Sequence, residues 1–271
     1  MFKINNLTYQ YDKTRKALDN VSMDFDKGDI IGIIGSNGSG KSTLFNNLVG
    51  ILKSTQGEIL YNGEQIKYDK KSLYNLRKEV GIVFQDPEKQ IFYSMVYDDI
   101  AFALRNIGMD EKTIKKRITN ALEAVNGLEF IDRPVHNLSF GQKKRVAIAS
   151  VVAMENKLVL LDEPTAGLDP ISIRAIVDII KGLNKRGVKI VISSHDMNLI
   201  YEICDYVYVL NQGCLINEGT REDVFVNEEK IDEAGLELPW LVKLHKNMGL
   251  PLFTNEEDLY SYWNCRKQKT V

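Results

Sequence analysis

The sequence predicts an α/β fold: a mixed-sheet core, a helical subdomain inserted in it, and a C-terminal extension. Three observations carry the prediction. The apolar run Ile30-Ile31-Gly32-Ile33-Ile34 leads into the glycine-rich stretch Gly35-Ser36-Asn37-Gly38-Ser39-Gly40-Lys41-Ser42-Thr43. A second apolar run, Leu158-Val159-Leu160-Leu161, ends in two carboxylates, Asp162 and Glu163. Between them, over about residues 86–155, apolar side chains recur at helical rather than strand spacing.

In chain order, short strands are expected over residues 2–7, 21–25 and 30–34. A helix follows the glycine-rich stretch over 43–49 and stops at Gly50. Residues 57–63 read as a hairpin strand closed by the Asn62-Gly63 turn, and 80–84 as another buried strand. The period then changes. Ile114, Ile118, Ala121, Leu122 and Val125 fall at i, i+4, i+7, i+8 and i+11, the stripe of one buried helix face. Ser139 can N-cap a helix that runs through residues 146–154. From 157 to about 216 strand and helix alternate again. A helix there buries Ile173, Ile176, Val177, Ile180 and Leu183 and ends at Gly187, before a strand over 190–192. Residues 221–271 differ in character, carry both tryptophans, Trp240 and Trp263, and read as a helical extension packed on the domain or on a twin.

Bulk properties exclude several classes. A chain of 271 residues can bury one large core or two modest ones. Apolar content of 44% with 27% charged residues is that of a soluble globular protein, and a net charge of −2 exerts no global pull on nucleic acid. Cys204, Cys214 and Cys265 are few, odd in number and scattered, which fits a reducing compartment. The chain opens on a strand-like segment without a signal-peptide core, and no apolar run approaches the ~20 residues of a membrane helix. A membrane role would therefore run through a partner. His136 and His245 have no partner pattern, and no Cys/His spacing suits a transition metal.

The glycine-rich stretch has the form Gly-x-x-x-x-Gly-Lys-Ser between a strand and a helix. That context supplies inward-turned amides and a helix N-terminus, the parts of a phosphate cradle. Lys41 is placed to reach the β/γ-phosphates and Ser42 to ligate Mg²⁺. The strand ending in Asp162 and Glu163 delivers acids where a metal and an attacking water would sit. A pair of solvated surface acids would not follow so apolar a run.

Further segments complete an ordered set: Gln85 after one strand, Leu138-Ser139-Phe140-Gly141-Gln142, Gly167-Leu168-Asp169-Pro170, and His195 after another strand. Over about residues 1–220 this set resembles the ATP-binding-cassette (ABC) ATPases. The resemblance implies a P-loop NTPase fold with an ABC-type nucleotide-binding domain over 1–220, its helical subdomain over about 86–155, and an extension over 221–271. It implies ATP and Mg²⁺ as ligands and ATP hydrolysis as the reaction. Tyr11, with Tyr9 as competitor, corresponds to the aromatic that stacks on adenine; Gly35 through Thr43 hold the phosphates. Ser42, Gln85 and Asp162 correspond to the Mg²⁺ side, and Glu163, with His195 and Gln85, to the hydrolytic group. Ser139, Phe140, Gly141 and Gln142 correspond to the segment that completes the ATP site of a second protomer, with Asp169 in the loop crossing that interface. A homodimer, or a pair with a sister ATPase, would sandwich two nucleotides. Phe140 departs from the family's usual glycine, which raises a question about the backbone torsion there.

Val83-Phe84-Gln85-Asp86-Pro87-Glu88-Lys89-Gln90-Ile91-Phe92 is similar to a segment of the energy-coupling-factor ATPases, and Gly235-Leu236-Glu237-Leu238-Pro239 also fits that group. Within it, residues 138–149 and 163–170 are similar to cobalt-importing members. The resemblance implies a transmembrane T-type subunit and a substrate-binding membrane subunit as partners, a peripheral position on the cytoplasmic face of the cell membrane, and cobalt or nickel as cargo. An ATPase shared among vitamin importers is the alternative. A nucleic-acid-processing cassette is a distant one, because long heptad insertions, tandem cassettes and a basic arm are missing; no nucleic acid partner is expected.

Overall fold

The computed structural model describes residues 1–12 and 15–268. In chain order the elements are β1 (Phe2–Gln10), β2 (Lys16–Asp24), β3 (Ile30–Ile34), α1 (Lys41–Leu48), β4 (Gln56–Tyr61), β5 (Glu64–Gln65), α2 (Lys70–Glu79) and β6 (Val80–Val83). There follow α3 (Val96–Asn106), α4 (Glu111–Ala124), α5 (Phe140–Ala153), β7 (Leu158–Asp162), α6 (Pro170–Lys185), β8 (Lys189–Ser194), α7 (Met197–Ile203), β9 (Tyr206–Asn211) and β10 (Cys214–Thr220). The chain closes with α8 (Arg221–Val226), α9 (Glu228–Glu233), α10 (Trp240–Met248) and α11 (Glu256–Gln268).

Six strands form one sheet in the order β10-β9-β3-β8-β7-β6, parallel except for the β10–β9 pair. An antiparallel sheet, β2-β1-β4-β5, lies over one side of it. Every residue of β3 and β7 is buried, because both faces of the parallel sheet are covered. The two-residue period then divides the side chains. Ile31 and Ile33 pack with Phe2, Val21, Leu44 and Phe45 towards the second sheet and α1. Ile30 and Ile34 pack towards α5, α6 and α7 with Ile148, Ile180 and Ile200. A parallel sheet so covered leaves its strand ends free to carry chemistry, and β3, β6, β7 and β8 all end on one edge.

The expected fold class is the observed one. Both first strands are longer than expected, reaching Gln10 and starting at Lys16, because their polar ends extend past the apolar core. Asn62 and Gly63 both have positive φ, 52° and 84°, which is the hairpin turn expected of this pair. α2 was not foreseen: its only buried residue is Leu76, so it has no apolar stripe to find, and Asp69 starts it by accepting from the amides of Lys71 and Ser72. Ile179 joins the expected stripe on α6, while Ile173 packs at its margin. The helices α8–α11 place Val224, Phe225, Ile231, Leu241, Val242 and Leu259 in the same apolar cluster as Ile200 and Ile203. The last residues of the extension, 269–271, lie outside the described residues.

Candidate nucleotide site

The loop between β3 and α1 closes on itself through its glycines. Gly38 has φ of 80° with open space where a Cβ would be. Gly40 has φ of 109°, and a Cβ there would meet the Ala17 carbonyl oxygen at 2.6 Å. The backbone therefore turns inward, and Lys41 folds back under it. Its Nζ donates to the carbonyl oxygens of Gly35 at 2.7 Å and Ser36 at 3.2 Å and lies 3.8 Å from Glu163 Oε1. Lys41 is only 6% exposed. Burial holds its ammonium below the ordinary lysine range, while Glu163 and Asp162 pull it back up.

A cleft of about 480 Å³ opens above this loop, lined among others by Tyr11, Lys41, Ser42, Gln85 and Glu163. Tyr11 is 64% exposed, and its hydroxyl is 3.1 Å from Thr43 Oγ1, which fixes the ring at the rim with a free face. Tyr9 stands edge-on behind it, with centroids 5.0 Å apart, and does not line the cleft. Asn37 and Gly38 are exposed at the lip, while Ser39 is buried and its Oγ has no hydrogen-bond partner. An orphaned hydroxyl and an open glycine beside a buried ammonium suit an anionic phosphate chain.

At the end of β7, Asp162 is 5% exposed and its Oδ1 accepts from the hydroxyl of Ser193 on β8. Glu163, also 5% exposed, has φ of 47°, a left-handed conformation rare for a side chain of its size. Its amide donates to Ser193 O and Ser193 Oγ, both at 3.1 Å. Its carbonyl accepts from Lys144 Nζ at 2.7 Å. One carboxylate oxygen, Oε2, is 2.8 Å from His195 Nδ1; the other, Oε1, has no hydrogen-bond partner and faces Lys41. The turn at the strand's end thus brings two sequence-adjacent acids to one place despite the two-residue period. Ser42, Gln85 and Asp162 offer only oxygen donors, the set a hard divalent cation such as Mg²⁺ takes.

The remaining expected residues lie away from the cleft lining. Ser139 caps α5: its Oγ accepts from the Gln142 amide at 3.3 Å, and Gln142 Oε1 accepts from the Ser139 amide at 2.9 Å. Phe140 is the first helical residue and is absent from the non-glycine residues of positive φ, so the torsion question is answered: this position does not need glycine. Its ring lies over Gly167, and Gly141 abuts Ser172 Oγ, where a Cβ would come within 3.0 Å. Asp169 caps α6 through the amides of Ile171 and Ser172, and the Ser172 hydroxyl with these amides holds its carboxyl below the usual range. Four structural supports escaped the sequence: Ser193, Lys144, Asp99 and Gln90. Gln90 links Phe84 N (3.0 Å) to Ala147 O (3.3 Å). Gln90 and Lys144 lie within motif segments, but no motif gave any of the four a role; each is made special by what faces it.

Fold and cleft together define a P-loop ATPase: a phosphate cradle at the end of a parallel strand, with a poised carboxylate opposite. Residues 18–166 match the family described as ABC transporter. Over 96% of this chain and 96% of the relative, the sequence is 45% identical to the cobalt import ATP-binding protein CbiO of Salmonella typhimurium. Over 97% of each, it is 45% identical to the energy-coupling factor transporter ATP-binding protein EcfA of Methanocaldococcus jannaschii. The solved structure of CbiO1 from Clostridium perfringens, part of the ABC transporter complex CbiONQ, superposes with a TM-score of 0.78 at 42% identity, covering 90% of this chain and 98% of that one. The chain belongs to the ABC transporter family of ATP-binding proteins, and it is an ATP-hydrolysing subunit of that family.

Proposed function

We propose that this chain is the ATP-hydrolysing motor of an energy-coupling-factor importer, with cobalt or nickel ions as cargo. The observation that carries the hydrolytic reading is the placement of Glu163, whose carboxylate stands between the Lys41 ammonium and the His195 imidazole at the floor of the cleft. Tyr11 stacks on adenine and the loop Gly35, Ser36, Asn37, Gly38, Ser39, Gly40 wraps the phosphates, with Lys41, Ser42 and Thr43 at the helix N-terminus below. Ser42, Gln85 and Asp162 would hold Mg²⁺, which would neutralise charge on the phosphates. Glu163 orients the attacking water and accepts its proton, and His195 holds Glu163 Oε2. Lys41 takes the negative charge developing on the departing phosphate.

Residues 1–220 form the ATPase unit, with the helical subdomain over about 86–155, and 221–271 the extension. Ser139, Phe140, Gly141, Gln142 and Asp169 face the nucleotide of a second copy or of a sister ATPase, in a head-to-tail dimer. Among the described residues no helix is long and apolar enough to cross a membrane. Transport therefore needs membrane partners, a T-type subunit and a substrate-binding subunit, and the chain sits on the cytoplasmic face. The surface offered to the T-type subunit is the aromatic cluster Phe92, Tyr93 and Phe102, whose ring centroids are 5.4 to 6.0 Å apart. Phe92 is 68% exposed, and the cluster follows Gln85 directly, so a helix docked there would move with the nucleotide side.

The similarity to CbiO favours cobalt; EcfA is named for the energy-coupling factor transporter without a cargo, and the alternative is an ATPase shared among vitamin importers. Labelled cobalt and nickel uptake in cells expressing this chain with its membrane partners, wild type against Glu163→Gln, separates them. Uptake that depends on Glu163 is the expected result. Intact ATP hydrolysis with no metal uptake in either strain would move the cargo to the vitamin class.

A further inference from the structure

Lys144 sits on α5, one turn beyond the capping box of Ser139 and Gln142, and is 1% exposed. Burying a lysine costs several kcal/mol unless its ammonium is satisfied, so its partners show what the position is for. Nζ donates to one hydrogen-bond acceptor, the carbonyl oxygen of Glu163, at 2.7 Å. It also lies 5.7 Å from the centroid of the Phe140 ring. The charges of the Glu163, Asp162 and Asp86 carboxylates favour its protonated form.

The bonded residue is the one with an unfavourable backbone. Glu163 is held at φ of 47° between Ser193, which takes its amide, and Lys144, which takes its carbonyl together with the Ala166 amide at 3.2 Å. A left-handed glutamate persists only where its surroundings over-determine it. Relaxation of that peptide would swing the carboxylate away from His195 and Lys41, and misplacing a reacting group by about 1 Å can cost about a hundredfold in rate.

We propose that Lys144 is a positioning residue that locks the backbone of Glu163 from the helix turn next to Ser139 and Phe140. This rests on Glu163 as the hydrolytic carboxylate. The helix whose N-terminus faces a second copy's nucleotide thereby also sets the carboxylate of its own chain's site. A merely structural lysine would support α5; a positioning one supports Glu163, and the two differ in what survives its loss.

The experiment uses the full-length chain and Mg·ATP. Lys144→Met, which keeps the volume and removes the donor, is expected to lose about tenfold or more in kcat with KM for ATP within about twofold. In a Glu163→Gln background the same substitution should leave ATP-driven dimerisation, read by sedimentation, unchanged. Lys144→Arg, which keeps an N–H donor, should recover most of the lost rate. Should Lys144→Met not fold, Lys144→Leu, which also lacks a donor, is judged by the same readouts. Wild-type turnover in the Met variant, or loss of dimerisation alongside turnover, overturns the proposal. Wild-type hydrolysis by Glu163→Gln alone would instead overturn the role of Glu163 itself, whatever Lys144 does.

Discussion

At the scale of single residues, the site is a set of opposed charges held dry. Lys41 and Lys144 approach Glu163 from its side chain and its carbonyl respectively, and both ammonium groups are pushed down by burial. Lys144 reaches about 8, against 10.5 for a free lysine. The sign of the consequence follows from proton counting. Between those values the unfolded chain keeps the proton and the folded chain has released it, so Lys144 makes stability rise with pH across that window. Chemical denaturation at pH 8 and near 10.5 should show a rise in wild type that is flattened in Lys144→Met, the difference between the two isolating this group from the tyrosines and Cys204. An identical pH dependence in both proteins would mean that Lys144 releases no proton in the window. Legibility in the sequence varied at this scale. Lys41 and Glu163 stand in motifs with a mechanism attached, whereas Lys144 reads as one of three consecutive basic residues, Lys143-Lys144-Arg145, and only packing singles it out.

At the scale of elements, short polar braces tie loop segments to the helices beside them. Asp99, on the first turn of α3, is 8% exposed and accepts from the amides of Phe92 (3.0 Å) and Tyr93 (3.2 Å). Burial raises its carboxyl above the usual range even though both amides favour the charged form. It ties the aromatic segment after Gln85 to α3, the helix carrying Phe102. Removing a charged acceptor from two amides costs on the order of 2–3 kcal/mol locally. In Asp99→Ala, metal uptake should therefore fall more steeply than ATP hydrolysis by the free chain, because the segment loses its stiffness while the phosphate cradle is untouched. Equal losses in the two assays would place Asp99 in general stability rather than in coupling. The caps were legible: Ser139 sits before a helical stripe and the structure places a full capping box there. α2 was not, since a helix without an apolar stripe leaves no period to detect.

At the scale of the whole molecule, the cleft and the two caps proposed to complete a partner's site lie apart. The phosphate cradle opens at the strand ends, while Ser139 and Asp169 stand outside the cleft lining on their own caps. On the proposed head-to-tail dimer, one copy alone would cover its nucleotide on one side only, and a second ATPase unit would close it. With ATP bound and hydrolysis blocked in Glu163→Gln, the chain should sediment at twice its 30.8 kDa mass and return to the monomer when ATP is removed. A Glu163→Gln protein that stays monomeric at saturating ATP would leave the sandwich to a sister ATPase.

By itself the sequence determined the fold class, the core strands β3, β6, β7 and β8 and the nucleotide motif, because each is written in local pattern: apolar period, glycine spacing, a carboxylate pair at the end of a buried run. Tertiary structure alone decided that Glu163 lines the cleft while Asp162 is buried against Ser193, that His195 rather than another group holds Glu163, and that Ser193 and Lys144 grip its backbone from β8 and α5. Those contacts join residues 19 to 32 positions apart, and no local period encodes them. They depend on the register in which β7 lies beside β8 and on how α5 packs against that pair.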